Sequence, residues 1–381
     1  MKLLFVLPDE IEEKDGNHYG NAGATMIKRY EVFCDEIICF APIKKVDTPK
    51  SDLIISDKVR YISAPKINTL KGLLSYYKYK RIIHDIIKNC DGCIINVHTS
   101  FTSTIAADIC KKIKKPYLTV VVGCAWDAFW NHGYKGKLLA PIVYANLKRV
   151  QRHAQYSIYV TSKFLQSRYP SSGHQISCSN VELGSLSIPS LRLEKIKSGI
   201  LSGKKIATVA AVDVPYKGQE YVIKALSVLK NKGIRLDYYL IGQGDNERLM
   251  TTASKYGVTD QVHFKGAIPH AQILKFLDDI DIYIQPSKQE GLPRALIEAM
   301  SRGCICLGSN IAGIPELLEE EYLFDKGNVE QIVRILSNIS KKERIEEVER
   351  NIQKASLYVK KILDKRRSDF IGKFVSSILQ K

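Results

Sequence analysis

Two glutamates with seven residues between them, Glu290 and Glu298, are the side chains best suited to chemistry in this 381-residue chain. Gly291 and Pro293 predict a turn, and residues 294–300 predict a helix because alanine, leucine, isoleucine and methionine are good helix formers. Pro293 fits the first helical position, where its missing N–H leaves no hydrogen bond unmade. A loop that carries Glu290 therefore leads into a helix that carries Glu298.

The start of this predicted helix is suited to binding an anion. The backbone N–H groups of Leu292, Arg294 and the next residues lack partners within a helix and point outward, so they favour a phosphate group. Glu298 lies about one and a half turns further along. Its carboxylate can accept two hydrogen bonds from a ribose diol, and no other partner for it is evident. The alternative interpretation is an ordinary amphipathic helix after a Gly-Pro turn.

The stretch 283–316 resembles the E-x7-E signature of retaining glycosyltransferases of the GT-B fold, specifically family 4, the glycosyl transferases group 1. The similarity extends to the flanking residues Pro286, Ser287, Ala299, Met300, Gly303, Ser309, Asn310, Gly313, Ile314, Pro315 and Glu316. Two positions depart from the family pattern. Ile305 stands where proline is usual, and Ala312 stands where a first glycine is usual.

This resemblance implies an α/β protein of GT-B architecture, with two doubly wound Rossmann-like domains facing each other across a cleft. We expect an acceptor-side domain over 1–190, a nucleotide-sugar-binding domain over 191–355, and a C-terminal helix over 356–381 that returns to the first domain. Residues 185–205 are the expected linker. The N-terminal stretch has a short apolar run followed by acids, which predicts a buried first strand and not a signal peptide.

The second domain offers a cation for the donor. A strand is predicted over 206–212, and the turn after it ends with Lys217. By resemblance, Lys217 grips the diphosphate and stabilises its charge as it leaves. The arginine that usually accompanies this lysine is missing, because Ala211 and Val212 stand where a Gly-Arg pair would fall. Either Lys217 and the helix start neutralise the diphosphate by themselves, or another basic residue such as Arg294 helps.

Other donor-binding residues follow from the same resemblance. Glu290 would hold hydroxyls of the donor sugar, and Gly291 and Leu292 would contact the donor from the same loop. Gly242 belongs to a G-x-G turn at the place of a family glycine turn. Ile268 follows a strand end and is expected beside the nucleobase.

The first domain opens with a predicted strand over 2–8, a glycine-bearing loop over 16–24 and a helix over 25–33. This order is typical of a doubly wound domain. Gly23 matches the family glycine that lies close to the donor's phosphates.

A polar and aromatic loop is predicted over 123–133, after a strand and therefore at the edge where α/β domains bind ligands. Family members often have a histidine or aspartate here that faces the sugar. Asp127 is the candidate in this chain, and His132 and His98 are the next choices. A capping or solvated side chain is the alternative for each.

The formal net charge is +17, and more of the excess lies in residues 1–190 than in the rest. A predicted helix over 69–89 and the stretch 135–169 interleave tyrosines with lysines and arginines, as at a membrane interface. We expect an anionic membrane surface as partner, and the alternatives are a surface helix packed on its own sheet and a merely lysine-rich composition. No apolar run reaches the roughly 18 residues of a spanning helix.

The nine cysteines are expected to be buried free thiols in a reducing cytoplasm. Cys90 and Cys93 form a lone CxxC without a histidine pair at zinc spacing, so no metal site is expected. No Asp-x-Asp motif appears where a metal-dependent GT-A enzyme would need one, and no cofactor is expected. Nucleic-acid-binding signatures are also missing, so nucleic acid is not an expected partner.

The expected function is a metal-independent retaining glycosyltransferase, a hexosyltransferase that uses a UDP- or GDP-sugar. Its acceptor would be a glycan or lipid-linked saccharide in bacterial capsule or surface-polysaccharide synthesis, at the inner face of the cytoplasmic membrane. Glu290, Asp127 and Lys217 are the expected catalytic residues. The alternatives are a GT-B relative with another reaction (an epimerase or a phosphorylase), a binding-only homologue suggested by the missing arginine, and a basic nucleic-acid-binding protein.

Overall fold

A computed structural model of the chain describes residues 1–64, 76–97 and 101–380, except for the side chains of 21–25 and 76–78. The chain divides into two compact units, which are described separately. Unit 1 comprises Met1–Cys178 and Lys365–Lys381, and unit 2 comprises Ser179–Asp364. The sequence placed the corresponding boundaries after residues 190 and 355.

Unit 1 is built on a parallel sheet whose strands are short apolar runs, as expected for a sheet covered on both faces. Its strands, with those of a smaller sheet, are β1 (Lys2–Val6), β2 (Ile11–Lys14), β3 (Asn17–Tyr19), β4 (Glu36–Ala41), β5 (Ile43–Lys45), β6 (Val59–Ser63), β7 (Gly92–Val97), β8 (Tyr117–Val121), β9 (Tyr156–Tyr159) and β10 (His174–Ser177). Within the described residues, the main sheet has the order β10-β9-β8-β7-β1-β4-β6. The chain winds away from β1 in both directions, so unit 1 is doubly wound.

The prediction that residues 16–24 form a glycine-bearing loop is wrong. The chain after β1 makes a hairpin of β2 and β3, and β2 also pairs with β5 in a three-stranded sheet. Asp15 and Gly16 have φ angles of 51° and 78°, as a two-residue hairpin turn requires. Helix α1 (Asn21–Tyr30) begins before the predicted residue 25. Gly23 therefore lies in its first turn, among the residues whose side chains are not described.

The other helices of unit 1 connect the strands. They are α2 (Tyr76–Lys88), α3 (Phe101–Lys112), α4 (Ala125–Trp130), α5 (Gly133–Arg152) and α6 (Phe164–Arg168). The loop predicted over 123–133 is wrong, because α4 occupies its middle and buries Ala125 and Ala128. Of the helix predicted over 69–89, α2 is observed, and residues 65–75 lie outside the described part of the chain.

Unit 2 repeats the parallel α/β pattern. Its strands are β11 (Lys205–Val209), β12 (Asp237–Ile241), β13 (Val262–Gly266), β14 (Ile282–Gln285), β15 (Ile305–Ser309) and β16 (Leu323–Phe324). Its helices are α7 (Pro189–Lys197), α8 (Gln219–Asn231), α9 (Glu247–Lys255), α10 (His270–Leu277), α11 (Arg294–Ser301), α12 (Val329–Asn338) and α13 (Lys341–Ser356). The sheet has the doubly wound order β13-β12-β11-β14-β15-β16. A final helix, α14 (Lys360–Leu379), begins in unit 2 and continues into unit 1; the predicted short helix over 369–379 is therefore its second half.

The predicted linker over 185–205 is wrong, because α7 lies within it and belongs to unit 2. Ile196 and Leu201 are buried together with Val348 of α13. Arg192 is buried as well, and its guanidinium donates hydrogen bonds to backbone carbonyls at the end of α10 and just beyond it. These bonds offset part of the cost of removing a charge from water.

The loops after β11 and β14 meet at the switch point of unit 2. These strands are neighbours, and the chain leaves them in opposite directions, so both loops open at the edge where α/β folds bind ligands. The Lys288 N–H donates to the Tyr216 carbonyl at 2.7 Å. Gly218 has a φ of 74°, and a Cβ there would stand 2.0 Å from the carbonyl oxygen of Pro286. The two loops therefore touch directly through their backbones.

We predict that Gly218→Ala destabilises the protein more than Gly233→Ala. Both glycines have left-handed φ angles, 74° and 78°, which cost an alanine about 1–2 kcal/mol. A Cβ at Gly233 meets nothing within 4 Å, whereas at Gly218 overpacking adds about 1–3 kcal/mol. Denaturant unfolding should show the difference in the free energy of unfolding. Equal losses would mean that the two loops separate at no cost.

Candidate active site

Glu290 is the centre of a hydrogen-bond network at the switch point. Its Oε1 accepts from the Lys217 ammonium at 2.8 Å, from the Ser287 hydroxyl at 2.7 Å and from the Gln285 amide at 3.1 Å. The Lys217 and Glu290 side chains are only 21% and 11% exposed, so water and salt screen their attraction less than they would at an open surface. The fold thus brings into contact two residues that the sequence identified separately.

Gln285 and Tyr283 orient this network from within β14. The Tyr283 hydroxyl donates to Gln285 Oε1 at 2.7 Å, and the Gln285 amide donates to the Ser287 hydroxyl at 2.9 Å. Burial raises the pKa of Tyr283 well above its usual value, so its hydroxyl remains a donor. No role was predicted for these residues. A glutamine that ends an apolar strand was the available signal, because buried amides need partners.

A second charged cluster lies beside the turn that holds Lys217. Glu220, in the first turn of α8, pairs with Lys288 at 2.9 Å and with Arg248 at 3.2 Å. Arg248 also donates to the carbonyl of Val212 at 3.3 Å, the position where the expected arginine is missing. Two cations that the sequence did not single out therefore lie next to the site.

Helix α11 starts directly after the loop that carries the catalytic candidate. The helix begins at Arg294. The sequence predicted Pro293 at the first helical position, but Pro293 lies one position earlier, at the N-cap. A proline cap provides no side-chain acceptor, so the first N–H groups of the helix are left for solvent or a ligand. The Gly291 carbonyl accepts from the Gly313 N–H at 2.9 Å, which anchors the turn. Leu292 is buried, whereas Arg294 is exposed.

Glu298 is buried in α11, and it has a partner that the sequence did not reveal. His270 Nε2 lies 2.9 Å from Glu298 Oε1, so the expectation that Glu298 lacks another partner is wrong. The hydrogen bond to Glu298 raises the pKa of His270. His270 is the first residue of α10 and is separated from Glu298 by a whole strand and two loops, so no local pattern could predict the pair.

Gly242 and Ile268 lie at other loops of the same sheet edge. The Gly242 N–H donates to the Gly266 carbonyl at 2.9 Å, and a Cβ on Gly242 would stand 2.0 Å from the carbonyl oxygen of Ala210. Close packing of these loops is therefore one reason for the glycine. Ile268 is half-buried and lies two residues before His270, so its predicted contact with a base stays a prediction.

The remaining candidates belong to unit 1. Asp127 is half-buried in α4, and its backbone carbonyl accepts from the Asn131 amide at 2.9 Å. His132 Nδ1 contacts the carbonyl of Ala128. His98 lies outside the described residues. The roles of Asp127, His132 and Gly23 stay predictions.

Similarity to known proteins decides the family. A profile of the glycosyl transferases group 1 matches residues 192–357, which lie within unit 2. Protein CapJ of Staphylococcus aureus is 34% identical to this chain over 374 residues, which cover 94% of this chain and 92% of CapJ. The chain belongs to the glycosyl transferases group 1 family.

Two further similarities extend over most of the chain. The N,N'-diacetylbacillosaminyl-diphospho-undecaprenol alpha-1,3-N-acetylgalactosaminyltransferase of Campylobacter jejuni is 22% identical over 297 residues, 76% of each chain. The crystal structure of Anabaena HepE in complex with UDP has a TM-score of 0.67 and 15% identity, over 98% of this chain and 100% of HepE. The likeness to HepE supports the fold alone, and the predicted GT-B fold class is confirmed.

The two departures from the family pattern lie in and after β15. Ile305 is the first, buried residue of β15, where it continues an apolar strand. Ala312 has a φ of 51°, a left-handed conformation that glycine adopts without strain and that costs an alanine about 1–2 kcal/mol. Residue 312 therefore adopts a backbone conformation suited to glycine, although it is an alanine.

The cysteines and the helices bear on two further predictions. All nine cysteines are free and buried, as predicted. In the part of the chain that the structure describes, no helix is both long enough and apolar enough to cross a membrane.

We predict that the contribution of the His270–Glu298 pair to stability depends on pH. The pKa of His270 is raised, so this contribution is complete below the ordinary histidine pKa of about 6.5 and is lost as pH rises through the raised pKa. His270→Gln should therefore lower the Tm more at pH 5.5 than at pH 9. The loss should be within about 1 kcal/mol, because the histidine is half exposed.

The control for this prediction is the same substitution in a Glu298→Gln background. There the loss caused by His270→Gln should no longer depend on pH. A pH-independent loss in the parent protein would contradict the prediction.

Proposed function

We propose that this protein is a retaining glycosyltransferase that uses a UDP- or GDP-sugar and extends a lipid-linked glycan for a capsule or other surface polysaccharide. The observation that carries the proposal is the contact between Lys217 and Glu290 at the switch point of unit 2, beside the uncapped start of α11. Membership of the family supports glycosyl transfer. The name of the Campylobacter enzyme supports a lipid-linked acceptor.

Lys217 and the start of α11 are proposed to bind the donor's diphosphate. An ammonium and a helix N-terminus both favour phosphate oxygens, and the complex of HepE with UDP supports a nucleotide donor. Lys288 and Arg248 supply positive charge next to the turn that lacks the family arginine. Arg294 is exposed at the start of α11 and can also contribute positive charge to diphosphate binding.

Glu290 is the anion that Lys217 contacts in the structure. A bound diphosphate carries more charge and would take over the Lys217 ammonium, while Glu290 keeps its hydrogen bonds from Ser287 and Gln285. The carboxylate is then held in place to accept hydrogen bonds from sugar hydroxyls. Glu298 would accept from the ribose diol, sharing its carboxylate with His270.

The proposed reaction breaks the bond between the anomeric carbon and the diphosphate oxygen, and forms a bond from an acceptor hydroxyl oxygen on the same face. The acceptor's proton passes to the departing phosphate oxygen, so no separate base and no metal are needed. Lys217 and the α11 N–H groups stabilise the charge that develops on the diphosphate. Asp127 is also proposed as a catalytic residue.

The proposed location is the inner face of the cytoplasmic membrane. A lipid-linked acceptor lies there, and the net charge of +17 favours an anionic surface, to which each nearby Lys or Arg contributes on the order of 1 kcal/mol. The described residues of α2 contribute Lys80 and Arg81 to this charge.

We predict that Glu298→Ala weakens nucleotide binding. Loss of a charged acceptor for the ribose hydroxyls should cost about 1.5–3 kcal/mol, which is about a 10- to 150-fold rise in Kd. The measurement is thermal stabilisation by UDP, GDP and their sugars, since a ligand at one hundred times its Kd adds about 2.7 kcal/mol in the parent. Glu349→Ala, an exposed glutamate of α13, is the control. Parent-like nucleotide affinity in Glu298→Ala would contradict the assignment.

We predict that Glu290→Gln lowers kcat by about 10²-fold or more without weakening nucleotide binding, because the lost charge acts mainly in the transition state. The amide oxygen can still accept from Ser287 and Lys217, so the fold should persist. Turnover of a UDP- or GDP-sugar with a lipid-linked acceptor gives kcat, and nucleotide titration gives Kd. Unchanged turnover would rule out this role, and nucleotide binding without any turnover in the parent would indicate a binding-only protein.

A further inference from the structure

Helix α5 has an outward face that unit 1 does not cover. Its buried residues Gly136, Ala140, Val143 and Leu147 recur every three or four positions and form the face packed on the unit. Residues 134, 138, 142 and 145 lie on the opposite side of the helix. In a soluble surface helix this side is ordinarily polar.

The outward face of α5 is instead apolar in its first half. Together with the end of α4 it forms what we call the outer patch: Trp130, Tyr134, Leu138, Leu139 and Ile142, exposed by 40%, 74%, 64%, 43% and 54%. Single exposed apolar side chains are common on soluble proteins, but five within thirteen residues form a group that requires a partner.

The charged side chains of α5 itself have one sign, and Arg149, near the end of the helix, pairs with Asp108 of α3. Residues 133–152 contain five lysines and arginines and no aspartate or glutamate. Lys135 and Lys137 are exposed and lie between Tyr134 and Leu138 in the sequence. Lys137 lies over the ring of Trp130 at 5.6 Å, and Trp130 stacks on Trp126 with ring centroids 5.2 Å apart. An aromatic end, an aliphatic middle and flanking lysines are the features of a helix that lies in a membrane interface.

We propose that the outer patch docks on an anionic lipid bilayer, with Leu138 and Ile142 inserted among the headgroups and the flanking lysines on lipid phosphates. The inference rests on the proposed function for its setting, because a lipid-linked acceptor lies in such a membrane. It holds that apolar side chains of α5 insert into the membrane. Electrostatic attraction between α2 and anionic lipids would need no such insertion. A bilayer fits better than a protein partner because the helix has basic residues without acidic ones, which matches a uniformly anionic surface.

The chain contains its own reporter for this docking. It has two tryptophans, Trp126 and Trp130, and both lie at the outer patch. The full-length protein, without donor, is mixed with vesicles of phosphatidylglycerol and phosphatidylcholine or of phosphatidylcholine alone. Insertion should shift the tryptophan emission to the blue, and brominated phosphatidylcholine in the anionic vesicles should quench it. Binding should weaken as salt rises, because the lysines contribute.

Matched variants separate insertion from general stickiness. Leu138→Ser with Ile142→Ser should lower partitioning to anionic vesicles at least about tenfold, because two inserted aliphatic side chains are lost. The control pair is Ile200→Ser with Leu357→Ser in unit 2, which replaces the same residue types at similar exposures of 66% and 54%. It should change partitioning less than about twofold. Lys135→Ser with Lys137→Ser should reduce both binding and its dependence on salt.

Three results would overturn the inference: no vesicle binding at low salt, equal binding by the Leu138/Ile142 variant and the parent, or equal binding to neutral vesicles. A parent that is a dimer in size-exclusion chromatography without lipid, and a monomer after the Leu138/Ile142 substitutions, would also overturn it, because a second copy would then cover the patch. UDP-induced thermal stabilisation of the same samples is an independent readout. Intact nucleotide binding without vesicle binding removes this inference alone, whereas vesicle binding without nucleotide binding or sugar transfer removes the proposed function.

Discussion

The backbone contact between Gly218 and Pro286 is the constraint on which the candidate site depends. It exists because two neighbouring parallel strands lead into loops that leave the sheet in opposite directions, and because Gly218 has no side chain to hold those loops apart. The hydrogen bond from Lys288 to Tyr216 closes the contact. With the loops held in this way, a short lysine turn and a glutamate loop from distant parts of the sequence can share a hydrogen bond. The rest of unit 2 supports this junction with buried polar groups, from Tyr283 through Gln285 to Ser287.

Much of the fold could be predicted because parallel strands are short apolar runs and the turns between them contain glycine and proline. The wrong predictions concern segments whose structure depends on contacts between residues that are distant in the sequence. Residues 185–205 were predicted to be a linker because α7 is mostly polar. The helix packs on unit 2 because it contains a buried arginine, whose hydrogen-bond acceptors lie more than eighty residues away in the sequence. The hairpin after β1 had a local signal in Asp15 and Gly16, yet its third strand comes from residues 43–45.

The sequence identified single candidate residues and not the network of contacts that links them. Glu290, Glu298 and Lys217 follow from a family pattern, which states which residues occur and does not state what they contact. The pairing of Glu298 with His270 and the position of Arg248 against Val212 depend on how α9 and α10 pack on the sheet. Such packing is a property of the whole unit. Ala312 is the reverse case. The glycine of the family pattern is missing, but the left-handed backbone conformation that suits a glycine is present.

The contact between Lys217 and Glu290 also acts as a threshold for ligands. The lysine already has a carboxylate partner at 2.8 Å, so an incoming anion gains only the difference between its own attraction and that of the glutamate. A diphosphate would exceed this threshold because it presents several charged oxygens, whereas a sugar or a nucleoside without phosphate would not compete for the ammonium. In the proposed reaction, the carboxylate that pairs with Lys217 is also the group that would hold the donor sugar. On this proposal, the Lys217–Glu290 pair favours donors that have a charged leaving group.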